Sequence, residues 1–329
     1  MRWIQFRRGS PPIKYWSVLS ANSFTSEREH EMNRRGFLAG SAATIAALGT
    51  KVVTQGSETE KDETRKGTAA LRLCSQLGVI PGESLEEKLD NMKKWEFEAV
   101  ELYRDAVDNV EKYQKAIDNS GLKMAAICWG SDNGDLVSED PAKRPGSFER
   151  VKQALEAAGA LASVGVVYVP AFNGQTELCN REIRSILVDA LPKLGEIAVA
   201  NNTTLILEPL NRREAFFLRQ LADAASICRD CESEGVRMMG DFYHMTFEET
   251  SDMGAFISGG KYLQHVHLGS RSTNRILPGQ DGGDFTDGFR GLKMIGYDKF
   301  CSFECGCRGD RNVEVPKSMQ FLKEQWAAA

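Results

Sequence analysis

Residues 204–208 read Thr-Leu-Ile-Leu-Glu, a short apolar run that ends in a carboxylate. Consecutive apolar residues are typical of a parallel strand that is buried on both faces. Seven other short β-rich runs occur along the chain, and segments with helical periodicity separate them. The predicted strands are Leu71–Gln76, Ala99–Tyr103, Met124–Trp129, Val166–Ala171, Thr204–Leu210, Arg237–Tyr243, Gln264–Leu268 and Lys299–Glu304. Eight strand–helix units in one α/β domain predict a (β/α)8 TIM barrel.

The segments between the predicted strands have helical patterns with recognisable ends. The predicted helices are Ser84–Trp95, Val107–Asn119, Phe148–Val164, Ile183–Ala200 and Leu218–Glu234. Ser84 lies three residues before Glu87, as in a capping box, and Gly121 and Gly235 are expected to close two of these helices. A doubly wound sheet is the alternative fold, but it needs a glycine-rich phosphate loop after its first strand. Residues 77–82 lack the G-x-G-x-x-G spacing, so the barrel is favoured.

The N-terminal residues 1–66 are expected to lie outside the barrel, which is predicted to occupy residues 67–329. Within them, Arg34-Arg35-Gly36-Phe37-Leu38 and the weakly apolar residues 39–49 resemble a twin-arginine signal peptide. The resemblance implies export to the periplasm, cleavage near residues 47–49, and no stable membrane insertion afterwards. Residues 1–31 form an upstream extension before Met32, and the polar residues from 50 to the barrel are typical of a flexible linker.

The distribution of charge argues against a nucleic-acid partner. Residues 1–66 carry eleven Lys and Arg against seven Asp and Glu, which leaves a net charge of −9 on residues 67–329. Binding to a phosphate backbone draws much of its affinity from Lys and Arg side chains. An acidic body without a basic stripe does not supply them, so no nucleic-acid partner is expected. The sequence leaves a homo-oligomer open.

Four successive predicted strands end in residue types that bind metal ions. These residues are Glu208, Asp241, His267 and Glu304. In a barrel the carboxyl ends of the strands meet at one face, so we expect these side chains to lie together. Three carboxylates and one imidazole predict a site for one divalent metal ion, Mn²⁺, Mg²⁺ or Co²⁺. His265 is expected to face away from His267 and to be a packed or supporting histidine.

Several motifs in a fixed order carry a resemblance to a known family. Residues 208–214 (Glu-Pro-Leu-Asn-Arg-Arg-Glu), 241–245 (Asp-Phe-Tyr-His-Met), 265–267 (His-Val-His) and 274–279 (Asn-Arg-Ile-Leu-Pro-Gly) resemble the xylose isomerase-like TIM-barrel superfamily. Within it they resemble the ketose 3-epimerase and hydroxypyruvate isomerase branch. The resemblance implies the same four metal ligands. It also implies that Glu214, His244 and Arg275 contact the substrate.

This chemistry predicts an isomerase that acts on a small sugar. A ketose or another α-hydroxycarbonyl compound can chelate the metal, which stabilises an enediolate when the C–H between the oxygens loses its proton. Glu208 and Glu304 are the predicted acid/base pair. Return of the proton to the opposite face gives epimerisation, and its delivery to the adjacent carbon gives aldose–ketose isomerisation. Trp129 and Phe172 are either an apolar wall under the sugar or packing at the barrel rim.

Two other activities fit the same residues. A lyase or dehydratase would use the same proton abstraction to expel a leaving group from an inosose or keto-sugar. A metal-dependent endonuclease of this fold is disfavoured by the acidic body and by the few histidines outside residues 1–66. A binding protein without turnover would not need both Glu208 and Glu304.

Overall fold

A closed barrel of parallel strands forms the body of the protein. The computed structural model describes residues 69–272 and 274–329. Its strands are β1 (Arg72–Gln76), β2 (Ala99–Tyr103), β3 (Lys123–Gly130), β4 (Gly165–Tyr168), β5 (Leu205–Leu207), β6 (Val236–Asp241), β7 (Leu263–Leu268) and β8 (Phe300–Phe303). Each strand pairs with the next, and β8 pairs with β1, with Phe300 opposite Arg72. The predicted TIM barrel is confirmed.

Helices alternate with the strands. They are α1 (Leu85–Lys94), α2 (Val110–Ser120), α3 (Arg144–Ala160), α4 (Asn180–Ala200), α5 (Leu221–Asp230), α6 (Phe242–Glu248), α7 (Asp252–Gly259), α8 (Thr286–Met294) and α9 (Arg311–Ala328). Short 3-10 turns lie at Arg104–Asp108, Asp135–Val137, Pro141–Lys143 and Gly260–Tyr262. In the described parts of the chain, no helix combines the length and the apolar character needed to cross a bilayer. The predicted extension, twin-arginine signal and linker lie outside those parts, so export stays a prediction.

Local signals set several of the helix ends. The Ser84 side chain accepts a hydrogen bond from the Glu87 N–H at 3.1 Å, and Gly121 ends α2 in the left-handed conformation, with φ +74°. The predicted strand end at Tyr243 was wrong. Strand β6 stops at Asp241, because the Asp241 carboxylate caps α6 by accepting a hydrogen bond from the Tyr243 N–H at 2.8 Å. A second helix, α6, therefore precedes the barrel helix α7.

One face of the strands packs against the helices, and the other face points into the barrel. Ala126, Val167, Ile206 and Met239 come from β3, β4, β5 and β6 and form a small cluster of their own, separate from the large cluster that includes the helices. This separate cluster lies inside the barrel. Alternate residues of a strand share a face, so the residues two positions after Ile206 and Met239 also point inward, at the level above. Those residues are Glu208 and Asp241, at the carboxyl ends of the strands.

Gly235 has a different role from the predicted helix closure. Helix α5 already ends at Asp230, with Cys231 as its C-cap, so the predicted end of this helix was wrong. Gly235 instead lies against the backbone of Gly195 in α4, and a Cβ atom on Gly235 would overlap the Gly195 carbonyl oxygen and carbon. The close approach of α4 to the start of β6 therefore requires a glycine.

We expect Gly235→Ala to destabilise the barrel by about 1–3 kcal/mol, because a backbone carbonyl cannot move aside as a side chain can. The matched control is Gly254→Ala in α7, where an added Cβ would lie 3.6 Å from the nearest atom, Ser251 Oγ. That change should be neutral or stabilise by up to about 1 kcal/mol. Urea denaturation of both variants measures the difference, and equal stabilities would contradict the close-approach argument.

Candidate active site

Four acidic or imidazole side chains converge at the carboxyl ends of neighbouring strands. Glu208 directly follows β5, Asp241 ends β6, His267 lies in β7, and Glu304 directly follows β8. One ligand atom from each of the four lies within 4.8 Å of those of the other three. Glu208, Asp241 and His267 are buried, and Glu304 has a side-chain exposure of 21%. The structure thus brings together the four residues of the predicted metal site.

His267 turns its Nδ1 atom toward the carboxylates. Nδ1 lies 3.5 Å from Glu208 Oε1 and 3.9 Å from Asp241 Oδ2, and it contacts Glu304 Oε2. Among the described residues this buried nitrogen has no partner with hydrogen-bond geometry. This nitrogen therefore faces three carboxylates and is available as a ligand for a metal ion.

The other ring nitrogen of His267 faces a fourth carboxylate, deeper in the barrel. His267 Nε2 lies 3.0 and 3.2 Å from the two oxygens of Glu101, in β2. His265 Nε2 lies 2.7 Å from Glu101 Oε2, and Gln76 Nε2 donates to Glu101 Oε1 at 2.9 Å. The expectation that His265 faces away from His267 was wrong, because residues two apart in a strand share a face. Sequence reasoning also missed Glu101, whose signal is a lone charge inside an otherwise apolar strand.

The two predicted acid/base carboxylates differ in their electrostatic surroundings. Burial opposes ionisation of both. At Glu304, His267 and Arg275 outweigh this effect and lower its pKa to about 2. At Glu208, burial and the charge of Glu304 raise the pKa above its usual value, although His267 acts in the opposite direction. Neighbouring carboxylates with divergent pKa values are suited to opposite roles in proton transfer.

Arg275 reaches the site from the loop after β7. Its Nη2 donates to Asp241 Oδ2 at 2.5 Å and contacts Glu304 Oε2, and its Nε donates to the Glu304 carbonyl at 3.1 Å. The guanidinium also lies over the Tyr243 ring, 4.9 Å from the centroid. Arg275 therefore places a positive charge directly against two of the four converging side chains.

His244 lies beside Asp241, and Asn211 joins it to Glu214. His244 Nε2 is 3.6 Å from Asp241 Oδ2. Asn211 is fully buried, and its backbone N–H donates to His244 Nδ1 at 3.2 Å. The Asn211 Nδ2 lies 2.8 Å from His244 Nδ1 and donates to Glu214 Oε1 at 2.8 Å. The structure thus places the three predicted substrate contacts, Glu214, His244 and Arg275, around one side of the site.

The aromatic residues of the rim divide into packed and exposed members. Trp129 is only 5% exposed, because the Arg104 guanidinium covers it at 4.0 Å from the ring and Tyr168 packs against it. Its environment is that of rim packing. Tyr103 ends β2, two residues after the inward-facing Glu101, and is 39% exposed. The Gly78 N–H donates to its hydroxyl at 3.2 Å, so this ring is anchored at the mouth of the barrel.

The chain is similar to a known protein family and to two named relatives. The family described as "Xylose isomerase-like TIM barrel" matches residues 89–325. The chain is 29% identical over 266 residues to a 3-dehydro-D-guloside 4-epimerase of Escherichia coli strain K12. This alignment covers 77% of this chain and 99% of that protein. The chain is also 29% identical over 249 residues to an L-ribulose 3-epimerase of Mesorhizobium japonicum, covering 74% of this chain and 82% of the relative.

The chain is also similar to a solved structure. The crystal structure of a 3-keto-D-glucoside 4-epimerase from E. coli, in its apo form, superposes with a TM-score of 0.70 at 26% identity. The match covers 78% of this chain and all of that one. Because these relatives are named as epimerases, the predicted enzyme class, an isomerase, is confirmed.

We expect Asn211→Ala to lower the free energy of unfolding by about 1–3 kcal/mol, because it removes the side-chain donor to His244 and Glu214 in a buried position. Arg213→Ala is the matched control, since Arg213 is exposed and its guanidinium lies over the Phe247 ring. It should change stability by less than about 0.5 kcal/mol. Urea denaturation compares the two, and a neutral Asn211→Ala would show that the link is dispensable.

Proposed function

Since the chain belongs to the xylose isomerase-like TIM barrel family, we propose that it is a divalent-metal-dependent sugar epimerase. It would invert a carbon that bears a C–H bond next to the carbonyl group of a ketose or keto-sugar, through an enediolate. The observation that carries this proposal is the pair Glu208 and Glu304. They come from strands on either side of His267 and lie within one 4.8 Å cluster with it.

The donor set fits a hard divalent cation. Three carboxylates and one imidazole are the ligand types that Mn²⁺, Mg²⁺ and Co²⁺ accept, and His267 Nδ1 is buried without a directed hydrogen bond among the described residues. Glu208, Asp241, His267 and Glu304 would hold the ion. Such an ion supplies Lewis acidity, which polarises a carbonyl and makes the neighbouring C–H more acidic.

The two glutamates would move the proton. One carboxylate removes the proton from the substrate carbon, and the electron pair of that C–H bond passes into the enediolate. The other glutamate, protonated beforehand, returns a proton to the opposite face of the same carbon, which inverts it. After one turnover the protonation states of Glu208 and Glu304 are exchanged. The enzyme is then ready for the reverse reaction, and exchange with water resets it for the forward one.

The remaining polar groups would hold the substrate oxygens. Arg275 and His244 both lie against Asp241, and from there they would stabilise the negative charge that develops on the enediolate. Glu214, tied to His244 through Asn211, is half exposed and free to accept a hydrogen bond from a sugar hydroxyl. These contacts orient the substrate and do not themselves carry the proton.

The substrate class follows from the chemistry that the relatives share. One relative is named as an epimerase at C4 of a 3-dehydro sugar, and another as an epimerase at C3 of L-ribulose, a ketose. Both names describe inversion at the carbon beside a ketone, which is the step that we propose for Glu208 and Glu304. The anchored, half-exposed ring of Tyr103 offers an apolar surface to the C–H face of such a sugar.

Removal of divalent ions should abolish turnover. Chelator-treated protein should lose epimerase activity on a panel containing L-ribulose and 3-keto glycosides, and Mn²⁺, Mg²⁺ or Co²⁺ should restore it. Calorimetric titration should show one ion per chain. At 100 times its Kd the ion should stabilise the fold by about 2.7 kcal/mol. Asp241→Asn should weaken binding, whereas the exposed control Asp223→Asn should not. Full activity in metal-free protein would contradict the proposal.

Glu208→Gln and Glu304→Gln should each reduce turnover by at least about 10²–10⁴-fold, because each removes a group that transfers a proton while keeping its shape. In D₂O the effects should differ. Loss of the base that faces the C–H abolishes deuterium incorporation, whereas loss of the reprotonating acid leaves exchange with little net inversion. NMR of the products measures both, and the exposed Glu196→Gln is the control.

Two results would argue against this assignment of the glutamates. Equal, small losses in both variants, with the metal still bound, would make the carboxylates ligands only and would transfer the proton step to another group such as His244. Loss of a C–O bond from the substrate, seen in the same spectra, would show a dehydratase instead of an epimerase.

A further inference from the structure

We propose that Glu101 is a positioning residue that fixes the tautomer and the ring orientation of His267, so that Nδ1 offers a lone pair to the metal. This inference rests on the proposed metal-dependent function. It concerns a buried carboxylate that the proton-transfer scheme does not use and that comes from β2, far in the sequence from the four converging ligands.

Glu101 is held from three sides. It is fully buried, and both of its carboxylate oxygens lie within 3.2 Å of His267 Nε2. His265 Nε2 approaches Oε2 at 2.7 Å, and the Gln76 amide donates to Oε1 at 2.9 Å. With three hydrogen-bonding partners on two oxygens, the carboxylate has little freedom to rotate. The direction of the His267 ring is set by this anchored partner.

The hydrogen-bonding chemistry of the pair decides the tautomer. An ionised carboxylate only accepts hydrogen bonds, so Nε2 of His267 must carry a proton to pair with it. The Gln76 amide nitrogen can only donate, and it lies 2.9 Å from Glu101 Oε1, so this carboxylate already acts as an acceptor. In a neutral imidazole with a proton on Nε2, Nδ1 carries the lone pair. Nδ1 is the atom that faces Glu208, Asp241 and Glu304.

The same three residues could be taken for a second metal site, since Glu101, His265 and His267 form a buried cluster of ligand types. The N–O separations of 2.7 to 3.2 Å are hydrogen-bond lengths. A cation there would need the Nε2 protons removed from both imidazoles. Hydrogen bonding is the simpler account of this geometry, and the stoichiometry of metal binding tests it.

The test is Mn²⁺ binding to chelator-treated protein, followed by electron paramagnetic resonance, which separates free from bound ion. Glu101→Gln keeps the shape of the side chain, but its amide presents a donor as well as an acceptor, so His267 is no longer forced into one tautomer. We expect its affinity for Mn²⁺ to fall about 10–100-fold. The matched control is Glu196→Gln, the same substitution at an exposed position of α4. We expect it to bind Mn²⁺ within about twofold of the wild type.

A second readout starts from the wild-type protein, so its first result does not depend on the folding of a variant. With Mg²⁺ bound, ¹⁵N NMR of histidine-labelled wild-type protein should show His267 protonated at Nε2 and not at Nδ1. In Glu101→Gln the same spectrum should show a loss or mixture of this tautomer, and circular dichroism checks that the variant is folded. A change confined to thermal stability, with affinity and tautomer unchanged, would overturn the positioning role.

The outcomes separate this role from the proposed function. Absence of Mn²⁺ binding in the wild type would overturn both the metal-dependent function and the role of Glu101. Wild-type binding that is unchanged in Glu101→Gln would overturn only the role of Glu101. Two Mn²⁺ ions per chain, with one lost in His265→Gln, would also overturn it, because Glu101 would then be a ligand.

Discussion

Repulsion between buried carboxylates is the constraint on which the rest of this site depends. Glu208, Asp241 and Glu304 bring three negative charges within a few ångströms of each other at the mouth of a closed barrel. Charges of one sign in a region of low polarity are unfavourable unless positive charge compensates them. Arg275 supplies part of this compensation in the chain itself. A divalent cation supplies the rest in the proposed enzyme, so metal affinity follows from the same repulsion.

Much of the site could be predicted because it depends on a rule of topology. In a parallel barrel every strand ends at the same face, so Glu208, Asp241, His267 and Glu304 meet wherever the strands themselves are recognised. Exact strand boundaries were not needed for this prediction, because it required only that each of the four residues lie at the carboxyl end of its strand. The end of strand β6 was predicted two residues too late, because Asp241 also caps α6, yet Asp241 still occupies its place at the strand end.

Other parts depend on contacts that no local pattern records. Glu101 meets His267 across 166 residues of sequence, and Gly235 is required by the backbone of Gly195 in another helix. Asn211 stands in a recognised motif, but its bonds to His244 and Glu214 appear only when α6 is folded beside the loop after β5. Such residues form hydrogen bonds with, or pack against, residues that are distant in the sequence. Their sequence neighbourhood therefore resembles that of ordinary strand, loop and turn residues.

The order of strands around the barrel also gives the site two unlike walls. In a closed ring of eight, β2 lies opposite β6. The β6 side carries Asp241 and His244 and receives Arg275 from the loop after β7, whereas the β2 side presents the Tyr103 ring. A sugar bound between them would direct hydroxyl and carbonyl oxygens toward the polar wall and C–H bonds toward the ring. In the proposed mechanism Glu208 and Glu304 act on the carbon that the bound sugar presents to them. The choice of the carbon that is inverted would then come from the two walls, because they orient the sugar.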